Sequence, residues 1–259
     1  MLRGGGRCNC VSVRSYDTSE SIGTPCVLKT ADFGYDGKGQ RKIGEGERFD
    51  FAQFAGSRAV LEKWISFEHE LSVICARDEN GNTCSFPASE NIHAKHILSH
   101  SIAPGRISPE IAQVAQDIAE SIAKDLDVVG LIAVEYFLTQ GGELLVNELA
   151  PRPHNSGHYT FDACITSQFE QQLRAVCGLP FGSPELLSPV VMVNLLGDLW
   201  DAGGSPNWKL ILQNPRAKLH LYGKLEPRRG RKMGHYCVLG KNVEIALKEA
   251  LDIRQRLRS

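Results

Sequence analysis

Two glutamates, Glu135 and Glu148, stand inside apolar runs where a carboxylate has little to gain. The runs are Leu131–Leu138 and Leu144–Leu149, with Gly141-Gly142 between them. A Gly-Gly pair suits a two-residue hairpin turn, because both central residues can take positive φ. If Gln140 and Glu143 close that turn, paired residue numbers sum to 283 and Glu135 falls opposite Glu148. Like charges facing each other across an antiparallel pair repel, so the two carboxylates need a cation or a shared proton. A hard dication such as Mg2+, or Mn2+ in its place, takes carboxylate oxygens and keeps positions open for phosphate oxygens. The alternative is a solvated strand end at which the two carboxylates never meet.

A second stretch offers phosphate chemistry. Lys29 ends a short apolar strand and is soon followed by Asp32-Phe33-Gly34-Tyr35-Asp36-Gly37-Lys38-Gly39-Gln40. Three glycines let a backbone approach a polyphosphate closely, and Lys29 and Lys38 supply charge. The segment lacks the GxxxxGK[ST] of a Walker loop, and a surface turn would read the same way.

The elements that must position these residues follow from pattern. Cys26–Leu28, Ala59–Leu61 and Leu71–Ile74 read as strands, and Glu79–Asn82 as a turn folding 72–77 back on 83–86. Ser108, Pro109 and Glu110 open a helix whose Ile111, Val114, Ala115, Ile118, Ala119, Ile122 and Ala123 share one face. Ser167 and Glu170 make a capping box for a second helix that stops at Gly178. Strands are expected at Val190–Leu196, Ala217–Tyr222 and Gly234–Leu239, and a last helix from about Val243. The order reads as α+β: a main domain over 22–189 and a small C-terminal β-rich lobe over 190–259. Residues 1–21 show no period and are expected to be disordered.

Composition narrows the function. Lys+Arg, at 29, nearly cancels Asp+Glu, at 30, so no global field favours nucleic acid or an anionic membrane. The most apolar stretch, Val128–Leu138, is too short to span a bilayer and carries Glu135. Arg3, Arg7 and Arg14 come without an apolar segment, so the start is not a secretory signal. Eight cysteines include no Cys-x-x-Cys pair, and Cys75, Cys164 and Cys177 read as small core residues. A reduced, cytoplasmic protein is the simplest account.

Taken together, Lys29, the Gly34–Gln40 loop, Glu62-Lys63-Trp64-Ile65, Glu70, the Glu135/Glu148 pair and Asn147–His158 (NELAPRPHNSGH) resemble an ATP-grasp enzyme. More narrowly they resemble the N5-carboxyaminoimidazole ribonucleotide synthases of purine biosynthesis, from about Ile22 to the end of the chain. GYDGKGQ and NELAPRPHNSGH, in this order, are specific; EKWI alone is not.

The resemblance implies a ligase that carboxylates 5-aminoimidazole ribonucleotide with bicarbonate through carboxyphosphate, using ATP and Mg2+. It implies that Lys29 and Gly34, Tyr35, Asp36, Gly37, Lys38, Gly39 and Gln40 cover the ATP phosphates, with Tyr35 and Asp36 also toward substrate. The backbone of Glu62, Lys63, Trp64 and Ile65 would read adenine, Glu70 would hold the ribose, and His93 would touch the nucleotide. Asn147 and Glu148 would complete the ATP–magnesium site with Glu135. Arg152, His154, Asn155 and Ser156 would face bicarbonate and the ribonucleotide, with Lys224 and Arg231 near the substrate phosphate. Arg228, Arg229, Arg231 and Lys232 could equally be a solvated basic turn. His69, His96 and His100 have no matching role, and Trp64 is expected to pack rather than react.

The family's N-terminal nucleotide-fold-like domain, with its Gly-x-Gly-Gln-Leu-Gly segment, has no counterpart here. A truncated gene, a split enzyme or a remnant would each fit, and apolar strand surface is then expected to be exposed or covered by a partner. The protein partner would be a separate N-terminal domain or a second copy in a homodimer. Two rival functions remain: the formate-dependent glycinamide ribonucleotide transformylase, which shares a PRPH segment, and a non-catalytic ATP-binding subunit.

Overall fold

The computed structural model describes residues 10–13, 22–30, 39–47, 59–200 and 204–257. Gly34, Tyr35, Asp36, Gly37 and Lys38 therefore lie outside the described residues, as does most of 1–21. The chain divides into two compact units, Met1–Ser66 and Phe67–Ser259.

The first unit is a sheet of β1 (Cys10–Val13), β2 (Cys26–Thr30), β3 (Gln40–Ile43) and β4 (Ala59–Lys63), in the order β1-β4-β2-β3. β1 falls within the stretch expected to be disordered. Four residues are too few to show a period, and the strand is held by a partner distant in sequence, from Val13↔Ala59 to Cys10↔Glu62. Cys26, Leu28, Ile43, Ala59 and Leu61 form the core, one face of each half-buried strand. Gly39, at φ +75°, leads into β3, and its carbonyl accepts from Thr30 N–H at 2.8 Å.

The second unit begins with β5 (His69–Arg77), β6 (Thr83–Ser85), β7 (Ser89–Ala94) and β8 (Ile97–Ala103). Helix α1 (Pro109–Asp125), β9 (Gly130–Leu138), β10 (Leu144–Ala150), α2 (Thr160–Ala163) and α3 (Gln168–Val176) follow. The chain ends with β11 (Val190–Leu196), α4 (Lys209–Leu212), β12 (Ala217–Leu221), β13 (Lys232–Leu239) and α5 (Val243–Arg256). One nine-stranded sheet runs β10-β9-β5-β7-β8-β11-β13-β12, with β6 beside β5. Every pairing in it is antiparallel.

Leu71, Glu90, Ile102, Val191 and Val238 are successive ladder partners, so they share a face. That face takes the helices. Ala115, Ala119 and Ala123 of α1 pack on Leu71, Val73, Ile132 and Val134, and α5 packs on Ile102, Val191 and Val238. Ser108 caps α1 as expected, accepting from Ile111 N–H at 3.3 Å. Ser167 caps α3 likewise, but the Glu170 carboxylate turns forward to Arg174 at 2.7 and 2.9 Å instead of back to the cap.

The opposite face carries Ile74, Ala133 and Met192, covered by Tyr159, Ala163 and Cys164. Cys75 and Cys164 are buried as expected; Cys177 is not, because it sits just past α3 as its exposed C-cap. Exposed apolar surface is found on β10, at Val146 and Leu149, and on and around α2 and α3, where Phe161, Ile165, Leu173 and Leu187 are each more than half exposed. No described helix is long and apolar enough to cross a membrane.

Candidate active site

The β9–β10 hairpin sets the carboxylate pair, by a different route from the one its sequence suggests. Thr139 N–H donates to Glu143 O and Gly142 N–H to Thr139 O, both at 2.9 Å, closing a three-residue loop rather than a two-residue turn. Gly142 alone of the pair has positive φ, at +79°. Pairing then runs Leu144↔Leu138, Leu145↔Phe137, Val146↔Tyr136, one residue off the expected register. A bulge at Asn147 restores it, and Glu148 lies opposite Glu135. The longer loop and the extra bulge residue cancel.

Glu135 is mostly buried and Glu148 exposed. Burial first, and the Glu148 charge second, push the Glu135 carboxyl up to about 7; His93 opposes this and Glu70 adds to it. Glu70 is in turn bonded to the His93 ring. The sheet thus collects three carboxylates and an imidazole on one face, with only hard oxygen donors at the Glu135/Glu148 pair. Carboxylates held this close, one with its proton affinity raised, fit a dication such as Mg2+.

Behind Glu135 lies a buried polar network that the sequence reading missed. Asn91 Nδ2 donates to Ser72 Oγ at 2.9 Å, and Ser101 Oγ donates to Asn91 Oδ1 at 2.8 Å. Ser72 Oγ donates to Ser156 Oγ at 2.7 Å, and Ser89 Oγ lies 3.0 Å from Ser72 Oγ. A hydroxyl has one proton to give. With Ser72 donating to it, Ser156 is free to donate to His154 Nδ1, 2.9 Å away. The His154 proton is thereby assigned to Nε2, which faces Glu135 Oε1 at 3.4 Å. Burial, with Arg152 and Lys232 nearby, draws His154 down to about 3, so the ring is neutral.

Asn155 is bound to Asn194 in both directions, at 3.0 and 2.7 Å, and Asn194 Nδ2 also donates to Leu98 O. His158 stacks between Phe169 and His235, with centroids 5.4 and 5.2 Å away, and burial pulls it down to about 4. The basic residues divide. Arg152 is exposed and donates to Pro153 O at 3.1 Å, while Arg231 donates to Glu226 O at 2.9 Å. Lys224 donates to Lys232 O at 2.6 Å; burial and then Arg231 lower its pKa. Lys232 opens β13, and its charge acts on Glu135, His154 and His158.

His69 and His100 belong to the helix-covered face, beside Glu90 and Ser99. His96 is exposed. In the first unit, Lys29 Nζ pairs with Glu62 at 2.6 Å, opposite Gln40 on the ladder through Lys29↔Gln40. Lys42 Nζ stands 3.6 Å over the ring of Trp64, which is partly exposed. Trp64 N–H donates to Pro25 O, and Glu62 stands between Val27 and Cys10 in the sheet.

A model of the ATP-grasp domain matches residues 12–169, and one of the phosphoribosylaminoimidazole carboxylase C-terminal domain matches 190–249. The chain belongs to the ATP-grasp family, in its N5-carboxyaminoimidazole ribonucleotide synthase branch. It is 52% identical over 222 residues to the N5-carboxyaminoimidazole ribonucleotide synthase of Bacillus subtilis, covering 83% of this chain and 56% of that protein. The Brucella melitensis synthase is 45% identical over 219 residues, covering 83% and 59%. The chain thus spans less than two thirds of the length of these relatives.

The fold agrees with solved structures. An ADP complex of an N5-carboxyaminoimidazole ribonucleotide synthetase superposes with TM-score 0.86 at 44% identity, over 96% of this chain and 67% of that one. The Aspergillus clavatus enzyme with ADP and 5-aminoimidazole ribonucleotide gives 0.79 at 30%, over 93% and 64%.

Proposed function

We propose that the chain performs the ATP-dependent carboxylation of 5-aminoimidazole ribonucleotide by bicarbonate, in the cytoplasm, as a step of purine biosynthesis. Bicarbonate oxygen attacks the γ-phosphorus of ATP and ADP leaves, giving carboxyphosphate. The exocyclic amine then attacks the carboxyl carbon, or CO2 released from it, inorganic phosphate departs, and the amine loses a proton. Catalysis of this kind is mainly positioning and charge stabilisation.

Glu135 and Glu148 would hold Mg2+, which supplies positive charge to the transferring phosphoryl group. Neutral His154, with its proton on Nε2, would donate a hydrogen bond to an oxyanion and hold it beside Glu135. Arg152, Asn155 and Ser156 would orient bicarbonate, and Lys224, Arg231 and also Lys232 would serve anionic substrate groups. Lys29, residues 34–40, Glu62–Ile65, Glu70, His93 and Asn147 keep the nucleotide roles that the resemblance implies.

The observation that carries the proposal is the Glu135/Glu148 pair, backed by a neutral histidine of defined tautomer. Purified chain should hydrolyse ATP only with Mg2+, faster with 5-aminoimidazole ribonucleotide and bicarbonate, and not with formate in place of bicarbonate. ATP turnover that survives Glu148→Ala unchanged would overturn the assignment of the metal site.

A further inference from the structure

Apart from the glutamate pair, a second set of donors converges on the same sheet face. His220 and His235 are directly opposed on β12 and β13, and their rings stack with centroids 4.6 Å apart. Asp162, on α2, brings Oδ2 to 2.8 Å from His220 Nε2. One donor atom from each of the three residues lies within 4.8 Å of the others.

A second observation points to a ligand. His235 is only 5% exposed, and its Nε2 is a buried ring nitrogen without a hydrogen-bond partner. Buried polar atoms are rarely left so. Its other nitrogen, Nδ1, lies 2.8 Å from the Tyr222 hydroxyl, whose oxygen is 3.2 Å from His158 Nδ1. With its proton on Nδ1 donated to Tyr222, His235 has its Nε2 lone pair unused, while His158 Nδ1 also takes the Asn155 amide N–H at 3.0 Å. Metal-bound imidazoles are held in this manner, one nitrogen tied to an outer hydrogen-bond partner and the other on the ion.

We propose that Asp162, His220 and His235 bind a divalent transition cation of the zinc type, with a fourth position open. Two imidazoles and one carboxylate are the donors such an ion prefers, whereas magnesium takes oxygen ligands. Bond lengths of about 2.0–2.1 Å in a tetrahedron put donors roughly 3.3 Å apart. The short Asp162–His220 contact must open slightly and the stacked rings turn, both side-chain motions. The ion displaces the proton shared by Asp162 and His220 and links α2 to the β12–β13 edge. The proposal is independent of the carboxylation reading, because it needs neither nucleotide nor turnover.

The test is titration of the metal-stripped full chain with Co2+ in excess Mg2+, which occupies oxygen-only sites. Visible d–d absorption of nitrogen-ligated cobalt should saturate at about one equivalent and be displaced by Zn2+. His220→Gln, at a partly exposed position, and Asp162→Asn should each weaken binding by about tenfold or more. Glu148→Gln should leave the spectrum unchanged. Circular dichroism confirms that the variants are folded. Absence of a saturable spectrum, or a spectrum retained in both His220→Gln and Asp162→Asn, would overturn the proposal.

Discussion

Glu135 owes its raised proton affinity first to burial between strands and then to Glu148 across the hairpin. Its carboxyl moves from 4.5 to about 7. A raised folded-state pKa gives stability that is complete below the unfolded value, near 4.5, and is lost as pH rises through about 7. In metal-free buffer, Glu135→Gln should therefore stabilise the protein at pH 8, by an amount on the order of 2 kcal/mol, and by progressively less toward pH 5. Thermal melts at both pH values check this. The same variant should lose Mg2+-dependent ATP turnover, so stability and activity move in opposite directions. Equal destabilisation at both pH values would mean that the carboxylate is not strained. At this scale the sequence was informative about Glu135 and Glu148, because charge inside an apolar run is conspicuous. It was silent about Ser72, Ser89 and Asn91, whose hydroxyl and amide groups matter only through partners on other strands.

The network joins β5 to β7 and β8, and the sequences of the last two, SENIHA and ILSHSIA, carry too many polar residues to read as buried strands. The polar positions that hide them are the ones that build the network behind His154. Long amphipathic α1 and apolar β11 were legible for the opposite reason, since their burial pattern is regular. The β9–β10 hairpin lies between these cases: its carboxylates face each other as expected, while its loop and bulge were hidden. Both hidden features add one residue, and neither leaves a trace in hydrophobic pattern. The loop makes a discriminating prediction. Gly142→Ala places a side chain at φ +79° in open space, so it should cost about 1 kcal/mol from backbone strain alone. Gly141→Ala should cost much less, because Gly141 does not take positive φ. Urea melts of the two variants decide; comparable losses would favour a two-residue turn with both glycines left-handed.

For the whole molecule, the division at Ser66/Phe67 follows the distribution of apolar burial. Among the described residues, each core cluster draws on one unit alone: Cys26, Leu28, Ile43, Ala59 and Leu61 in the first, and the three larger clusters in the second. Among the described residues of the first unit, five buried side chains form the core, a small one for a stretch of this length, where stability is marginal. The second unit has helices packed on one face of its sheet and Tyr159, Ala163 and Cys164 on the other, and Phe67 at its start stacks on Phe137 at 4.5 Å. Residues 67–259 expressed alone should therefore fold and melt in one cooperative transition, whereas residues 1–66 alone should show none. In the intact chain, Trp64 belongs to the first unit and Trp200 and Trp208 to the second, so tryptophan fluorescence of Trp64→Phe against wild type separates the two. The Trp64 signal should change at lower urea than the signal of the other two. Coincident transitions, together with an insoluble 67–259 fragment, would mean that the larger sheet depends on the smaller one for its stability.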